Sequence, residues 1–285
     1  MLPGTGDWVA SEVNKALEEL KNKNSGICMA HISAFYYLLN KELDFYPEVV
    51  KHVKELARWD RMEHIACGEY DMYGETAIFL DDDIEKNTKR LKEEFKEDYT
   101  VDIRFLLIKY LKDLKDLENF MKTILLREDT KWEEWIYIDL YFKDGTIFML
   151  KDEKDPELTL HVDLNFDIDN SKLMFRKRTF LVSTDAINKA LKEDIFSEYL
   201  YRILKIAKDV EGVIKKTHKS FGGATINLIV RSSGDVFVEN VWDIAPMETT
   251  EKLLERIEEI VRNNRLSLSD LLREKAVEHM QGLTL

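Results

Sequence analysis

The sequence predicts a mixed α+β protein, with a helical bundle over residues 1–128 and an antiparallel-sheet domain over 129–285. Apolar residues recur at spacings of three and four through the first part, which is typical of amphipathic helices. After Thr130 they form strand-like runs separated by turn pairs such as Asp144-Gly145, which indicates hairpins. Helices packed against hairpin-connected strands make an α+β fold, here in the order ββββ-α-ββ-α with C-terminal helices.

The N-terminal part is expected to form four or five helices that pack as a bundle. Pro47 suits the first turn of a helix, where its missing N–H costs nothing. Asp81-Asp82-Asp83 supplies an N-cap to the helix that follows it. The predicted helices lie around Val13–Leu20, from about Ser25 to Asn40, from Pro47 through Cys67, after Asp83, and from about Tyr99 to Arg127.

The second part is expected to begin with four strands. The segment Leu158–Ile168 alternates apolar and polar residues almost perfectly, as an antiparallel strand does when one face of its sheet meets water. Spacings of three and four from Thr184 to Val210 then indicate one long helix. The remaining predicted elements are strands at Trp135–Phe142, Thr146–Leu150, Leu173–Val182, Thr225–Arg231 and Val236–Trp242, and helices at Thr249–Asn263 and Ser269–His279.

Composition limits the class of protein and its surroundings. The 285 residues are 45% hydrophobic and 34% charged, which is typical of a packed globular chain. The net charge of −13 disfavours a nucleic-acid partner. The sequence lacks a membrane-length apolar run and a disulfide framework, so we expect a cytoplasmic protein without a membrane anchor. A single glutamine, Gln281, beside abundant Lys and Glu is typical of a thermophile.

Both cysteines lie three residues from a histidine, in mirror order. Cys28-x-x-His31 falls on the second predicted helix and His64-x-x-Cys67 on the third. Residues three apart share a helix face, and an antiparallel hairpin turning near Pro47 would bring the two pairs together. Two thiolates and two imidazoles suit tetrahedral Zn²⁺, so the sequence predicts a structural or sensing zinc site.

Asp60 lies on the same stripe of the third predicted helix and would orient one of the zinc ligands. Two alternatives stay open at this point. The first is an ordinary core with buried cysteines and hydrogen-bonded histidines. The second is a Cys28–Cys67 disulfide, which cells of hyperthermophiles allow.

Arg58 and His64 are separated by five residues, which resembles the Arg-x(4–6)-His element of HEPN ribonucleases. The resemblance covers this one short motif. It implies an all-helical bundle, in which the pair works across a dimer and assists attack by the RNA 2′-hydroxyl without a metal. Trp59 departs from the family, which tends to have a polar residue after the arginine.

A compact basic loop follows the long predicted helix of the second part. It contains Lys216, His218 and Lys219 and ends in two glycines, so it could hold a phosphate or a carboxylate. The alternative is structural, because Lys and His complement a helix C-terminus and glycine ends the helix.

The functional hypothesis from the sequence is a non-catalytic protein that binds a partner protein or a small molecule. Trp135, Tyr137 and Tyr141 lie on one face of the first predicted strand and suit either an interface or a core. One alternative is the HEPN-like nuclease. The other is a structural assembly protein that oligomerises through helices at 249–279.

Overall fold

A computed structural model describes most of the chain and divides it into two compact units, Met1–Lys143 (unit 1) and Asp144–Leu285 (unit 2). None of the helices it describes is long and apolar enough to cross a membrane. The residues described are 5–22, 26–58, 64–70, 75–76, 83–94, 100–126, 135–152, 154–167, 172–217, 223–243 and 247–282.

Unit 1 alternates helices and strands. Pro47 lies in the first turn of a helix, as its residue type predicts, and Asp83 caps another by accepting a hydrogen bond from the Lys86 N–H at 3.0 Å. In chain order the elements are α1 Thr5–Asn22, β1 Cys28–Leu39, a 3₁₀ helix Asn40–Phe45, α2 Tyr46–Arg58, β2 His64–Tyr70, β3 Glu75–Thr76, α3 Ile84–Glu94, β4 Thr100–Leu111, α4 Leu114–Leu125 and β5 Trp135–Phe142.

The strands of unit 1 form a sheet in the order β5-β1-β4-β2-β3, and each neighbouring pair is antiparallel. β1 pairs with β4 along its whole length, from Cys28 opposite Leu111 to Leu39 opposite Thr100. On its other side β1 pairs with β5, with Cys28 opposite Phe142. β1 is therefore an inner strand, and its residues have neighbours on both sides.

The mixed α+β class is confirmed, but the N-terminal helical bundle is not. Strands occupy Cys28–Leu39 and Thr100–Leu111, where the apolar spacing predicts helices. The reason is that β1 and residues 105–111 of β4 are buried on both faces, so they lack the alternation that identifies a half-exposed strand. A continuous apolar run contains spacings of three and four whatever its structure, and here aromatic and β-branched residues favour the strand.

Helices cover both faces of the unit 1 sheet. Val13, Ala16 and Leu20 of α1 pack on Met29 and on β4. Residues of β4 on the opposite face meet α4, where the Lys109 ammonium lies 5.9 Å from the centroid of the Phe120 ring. The core of unit 1 is therefore a sheet between two helical layers, with α1 on the face that carries Met29.

The strands of unit 2 lie in the order β10-β9-β7-β8-β6, and their neighbouring pairs are antiparallel except β6–β8, which is parallel. Phe148 of β6 and Phe180 of β8 stack with centroids 4.6 Å apart in the core of this unit. The elements are β6 Thr146–Lys151, β7 Leu158–Asp167, β8 Lys172–Ser183, α5 Thr184–Lys192, α6 Phe196–Thr217, β9 Gly223–Val230, β10 Val236–Asp243, α7 Met247–Asn263 and α8 Leu268–Gly282.

The division between units falls after Lys143, and β5 pairs with β1 within unit 1. The single long helix that the sequence predicts is two helices, α5 and α6. Asp194 between them has φ +57°, a left-handed conformation that ends α5.

Candidate functional site

The predicted metal ligands Cys28 and His31 lie on strand β1 rather than on a helix. Successive side chains of a strand point to opposite faces, so residues three apart face away from each other. Cys28 is on the face of Lys109 and α4, and His31 is on the face of α1. One ion therefore cannot take both side chains as ligands.

The second predicted pair, His64 and Cys67, lies on β2, whose side chains are outside the described residues. β1 and β2 are both antiparallel to β4, so they run parallel to each other and not as a hairpin. Cys28 is opposite Leu111 of β4. Cys67 is opposite Phe105, six residues away, which is about 20 Å along the strand. A disulfide needs Cα atoms roughly 4.4–6.8 Å apart, so this register excludes the Cys28–Cys67 bond.

His31 and His64 occupy the same register position, since each is directly opposite Ile108 of β4. Two strand spacings, about 10 Å, separate their backbones. Ile108 is buried between them. Within the described ranges, no group of three His, Cys, Asp or Glu side chains is placed to hold a metal ion. The described backbone therefore places His31 and His64 at one register position and Cys28 and Cys67 apart, and zinc binding stays a prediction.

Cys28 is a buried free thiol. Burial raises its pKa to about 12, and the nearby Asp116 carboxylate contributes in the same direction. The thiol is therefore protonated at neutral pH in the metal-free protein. Cys28 fits the alternative of an ordinary core cysteine.

His31 instead belongs to a polar cluster on the α1 face of the sheet. We call the residues His31, Ser33, Tyr137, Asp139 and Tyr141 the His31 cluster. His31 is directly opposite Asp139 of β5, and Ser33 is directly opposite Tyr137. The His31 Nε2 atom lies 2.6 Å from the Ser33 hydroxyl oxygen. Its Nδ1 atom lies 3.5 Å from the Asp139 Oδ2 atom, without a hydrogen bond.

The position of Asp139 selects the tautomer of a neutral His31 ring. A bare Nδ1 lone pair facing a carboxylate is repulsive, whereas an Nδ1–H group is attracted to it. This favours the tautomer with the proton on Nδ1, which leaves the Nε2 lone pair directed at Ser33. In that tautomer the Ser33 hydroxyl donates to His31 Nε2, and the hydroxyl, the imidazole and the carboxylate lie in series.

Exposure increases across the His31 cluster from β1 to β5. His31 and Ser33 are only 6% and 7% exposed, Asp139 and Tyr141 are half-buried, and Tyr137 is 47% exposed. Burial raises the pKa of Tyr141 to about 12, with a further contribution from Asp139, so its phenol stays neutral. Tyr137 is therefore the exposed end of the His31 cluster, and His31 and Ser33 are its buried end.

The other candidate residues are distributed as follows. Arg58 is the last residue of α2 and His64 is the first of β2, while Asp60 between them lies outside the described residues. Lys216 lies in the last turn of α6. This is where the structural alternative for the basic loop places it, because lysine complements a helix C-terminus. His218 and Lys219 also lie outside the described residues, so the anion site stays a prediction.

Sequence reasoning did not identify Ser33 and Asp139 as site residues. Asp139 lies on the same strand face as Tyr137 and Tyr141, so the period of two was a usable signal for it. Ser33 lies two residues from His31, which would have linked the pair only if β1 had been predicted as a strand. The contact of His31 with Asp139 depends on the pairing of β1 with β5, which one sequence does not reveal.

Comparison with known proteins adds no relative: no family model, curated protein or solved structure matches this chain.

Proposed function

We propose that the protein binds a small molecule that carries a cationic amine or amidine group and an apolar ring, at the His31 cluster of unit 1. The observation that carries the proposal is the half-buried Asp139 carboxylate, whose Oδ2 atom lies 3.5 Å from the His31 Nδ1 atom without a hydrogen bond between them. A carboxylate accepts hydrogen bonds through two oxygens, so Asp139 has acceptor capacity for the N–H groups of a cationic ligand.

The aromatic side chain beside this acid supplies the second contact. Tyr137 is among the exposed large hydrophobic residues of the described part of the chain, and it lies on the same strand face as Asp139. A planar cation could lie over the Tyr137 ring while its N–H groups donate to Asp139. The net charge of −13 attracts cations toward the protein in general.

The two other hypotheses from the sequence have less support from the geometry. HEPN ribonucleases use an all-helical bundle, whereas His64 lies on a strand of a mixed α+β unit. The assembly hypothesis has α7 and α8 as its helices, and α8 presents exposed Val277 and Met280. Both hypotheses stay predictions, and neither has an observation as specific as the His31 cluster.

Benzamidine is a suitable probe, because its amidinium can pair with a carboxylate and its ring can stack on tyrosine. Asp139→Asn is expected to weaken benzamidine binding about tenfold or more, since hydrogen bonds to charged groups contribute roughly 1.5–3 kcal/mol. Isothermal titration calorimetry at low salt measures the Kd.

Asp152→Asn is the matched control, because it removes the same charge from an exposed acid of unit 2 and should leave the Kd unchanged. Tyr137→Ser should weaken binding by a smaller factor than Asp139→Asn does. An equal Kd for wild type and Asp139→Asn, or no saturable binding by the wild type, would refute the proposed site.

A further inference from the structure

The Ser33, His31 and Asp139 side chains lie in series, with a hydrogen bond between Ser33 and His31 and a longer contact between His31 and Asp139. The hydroxyl lies 2.6 Å from His31 Nε2, within the reach that a general base needs to take a proton. The carboxylate lies 3.5 Å from Nδ1 on the opposite side of the ring. A hydroxyl, an imidazole and an acid in this order are the components of nucleophilic serine chemistry, which is recognised by geometry and not by fold.

The tautomer of His31 sets the direction of proton transfer, from Ser33 to the imidazole. Asp139 holds the ring proton on Nδ1, so Nε2 is a lone-pair acceptor for the Ser33 proton. Burial strengthens this arrangement, because His31 and Ser33 are both more than nine-tenths buried and their electrostatic interactions are poorly screened by water.

We propose that Ser33 is a nucleophile that accepts the acyl group of a small activated ester, with His31 as general base and Asp139 as a positioning residue. The Ser33 Oγ atom forms a bond to the carbonyl carbon as its proton passes to His31 Nε2. The bond to the leaving oxygen then breaks, and the Nε2 proton goes to the departing alkoxide. The products are acyl-Ser33 and a free alcohol, and no other reactant is consumed.

The backbone geometry of β1 limits the rate of this reaction. The N–H groups of β1 take part in the ladders with β4 and β5, so the backbone around Ser33 is not available to stabilise an oxyanion. Loss of a single such donor costs about 10²–10³ in rate in serine hydrolases. Ser33 is therefore expected to react once per molecule and slowly. Tyr137, directly opposite Ser33 on β5, is exposed, so the approach to Ser33 that this reaction requires lies beside Tyr137.

Diisopropyl fluorophosphate tests the nucleophile directly. Attack by Ser33 Oγ on phosphorus expels fluoride, passes the proton to His31 and adds one diisopropylphosphoryl group. Intact-mass spectrometry should show one adduct on the folded protein, and peptide mapping should place it on Ser33. The same protein unfolded in urea should gain no adduct at Ser33, since unfolding separates the hydroxyl from the imidazole.

Variants test whether Ser33 is labelled because His31 activates its hydroxyl or only because the reagent can reach it. His31→Gln should slow labelling about 100-fold or more, in the range that general-base catalysis contributes. Asp139→Asn should slow labelling, and Asp139→Glu should recover part of the rate. Ser33→Ala should abolish labelling. Ser183→Ala is the matched control, because Ser183 is a similarly buried serine and its removal should change nothing.

No adduct on the folded wild type, an adduct on another residue, or equal labelling of the unfolded chain would overturn the inference. The inference goes beyond ligand binding, and the two fail separately. Saturable benzamidine binding without labelling of Ser33 would overturn the inference alone, and labelling of Ser33 without benzamidine binding would overturn the proposed function alone.

Discussion

Replacing Gly26 by alanine is expected to destabilise the protein by about 2–5 kcal/mol. Gly26 has φ +67°, and a Cβ atom there would lie 1.9 Å from the carbonyl oxygen of Leu111. That oxygen also accepts a 2.7 Å hydrogen bond from the Ile27 N–H, so it cannot move away freely. The left-handed backbone costs about 1–2 kcal/mol with a side chain, and overpacking adds about 1–3 kcal/mol. Urea unfolding measures the loss.

Two other glycines provide matched controls. Gly145 has φ +83° with no atom within 4 Å of a built Cβ, so Gly145→Ala should cost only the backbone contribution of about 1–2 kcal/mol. Gly212 lies inside α6 with open space around it, so Gly212→Ala should stabilise by about 0.5–1 kcal/mol. A Gly26→Ala protein no less stable than Gly145→Ala would contradict the packing of Gly26 against the end of β4.

Glu157→Ala is expected to destabilise unit 2 by about 2–6 kcal/mol. The buried Glu157 Oε1 atom accepts hydrogen bonds from the Tyr199 hydroxyl at 2.8 Å and from the Leu268 N–H at 2.7 Å. It thereby connects α6 to the start of α8. Alanine would leave two buried donors without an acceptor, at about 1–3 kcal/mol each. Exposed Glu193→Ala is the control and should change stability by no more than about 0.5 kcal/mol.

Glu157 also makes stability depend on pH. Burial raises its pKa above the ordinary 4.5, although the Leu268 and Tyr199 hydrogen bonds oppose the shift. The folded state thus holds this proton more tightly than the unfolded chain does. Its contribution is complete below pH 4.5 and is lost as the pH rises through the folded pKa. The free energy of unfolding of wild type relative to Glu157→Gln should therefore fall from pH 5 to pH 8. A difference that grows with pH would contradict the raised pKa.

The predictability of the fold differed between the two units for a physical reason. β7 alternates polar and apolar residues over Leu158–Asp167, and such a pattern is readable without any knowledge of neighbours. The described residues of β1 and β4 are buried on both faces, so apolar runs such as Phe105–Ile108 replace the alternation and resemble buried helices. The turn after Lys143 and the N-cap at Asp83 were readable because they depend on local backbone chemistry.

The candidate site was predictable only in part. The three-residue spacing from Cys28 indicates His31 as a site residue, but residues three apart share a face only on a helix. On a strand the relevant neighbour is Ser33, two residues away, and the relevant acid is Asp139 on another strand. Pairing between strands distant in sequence depends on the whole fold, so the partner of His31 required the structure.

The tautomer of His31 tests the roles of Asp139 and Ser33 most directly. Long-range ¹⁵N–¹H NMR of protein labelled with ¹⁵N-histidine distinguishes a protonated Nδ1 from a protonated Nε2. We expect neutral His31 to carry its proton on Nδ1, with Nε2 accepting from the Ser33 hydroxyl. Asp139→Asn should shift the His31 ring toward the tautomer that is protonated on Nε2. A His31 ring protonated on Nε2 in the wild type would contradict both the role of Asp139 and the activation of Ser33.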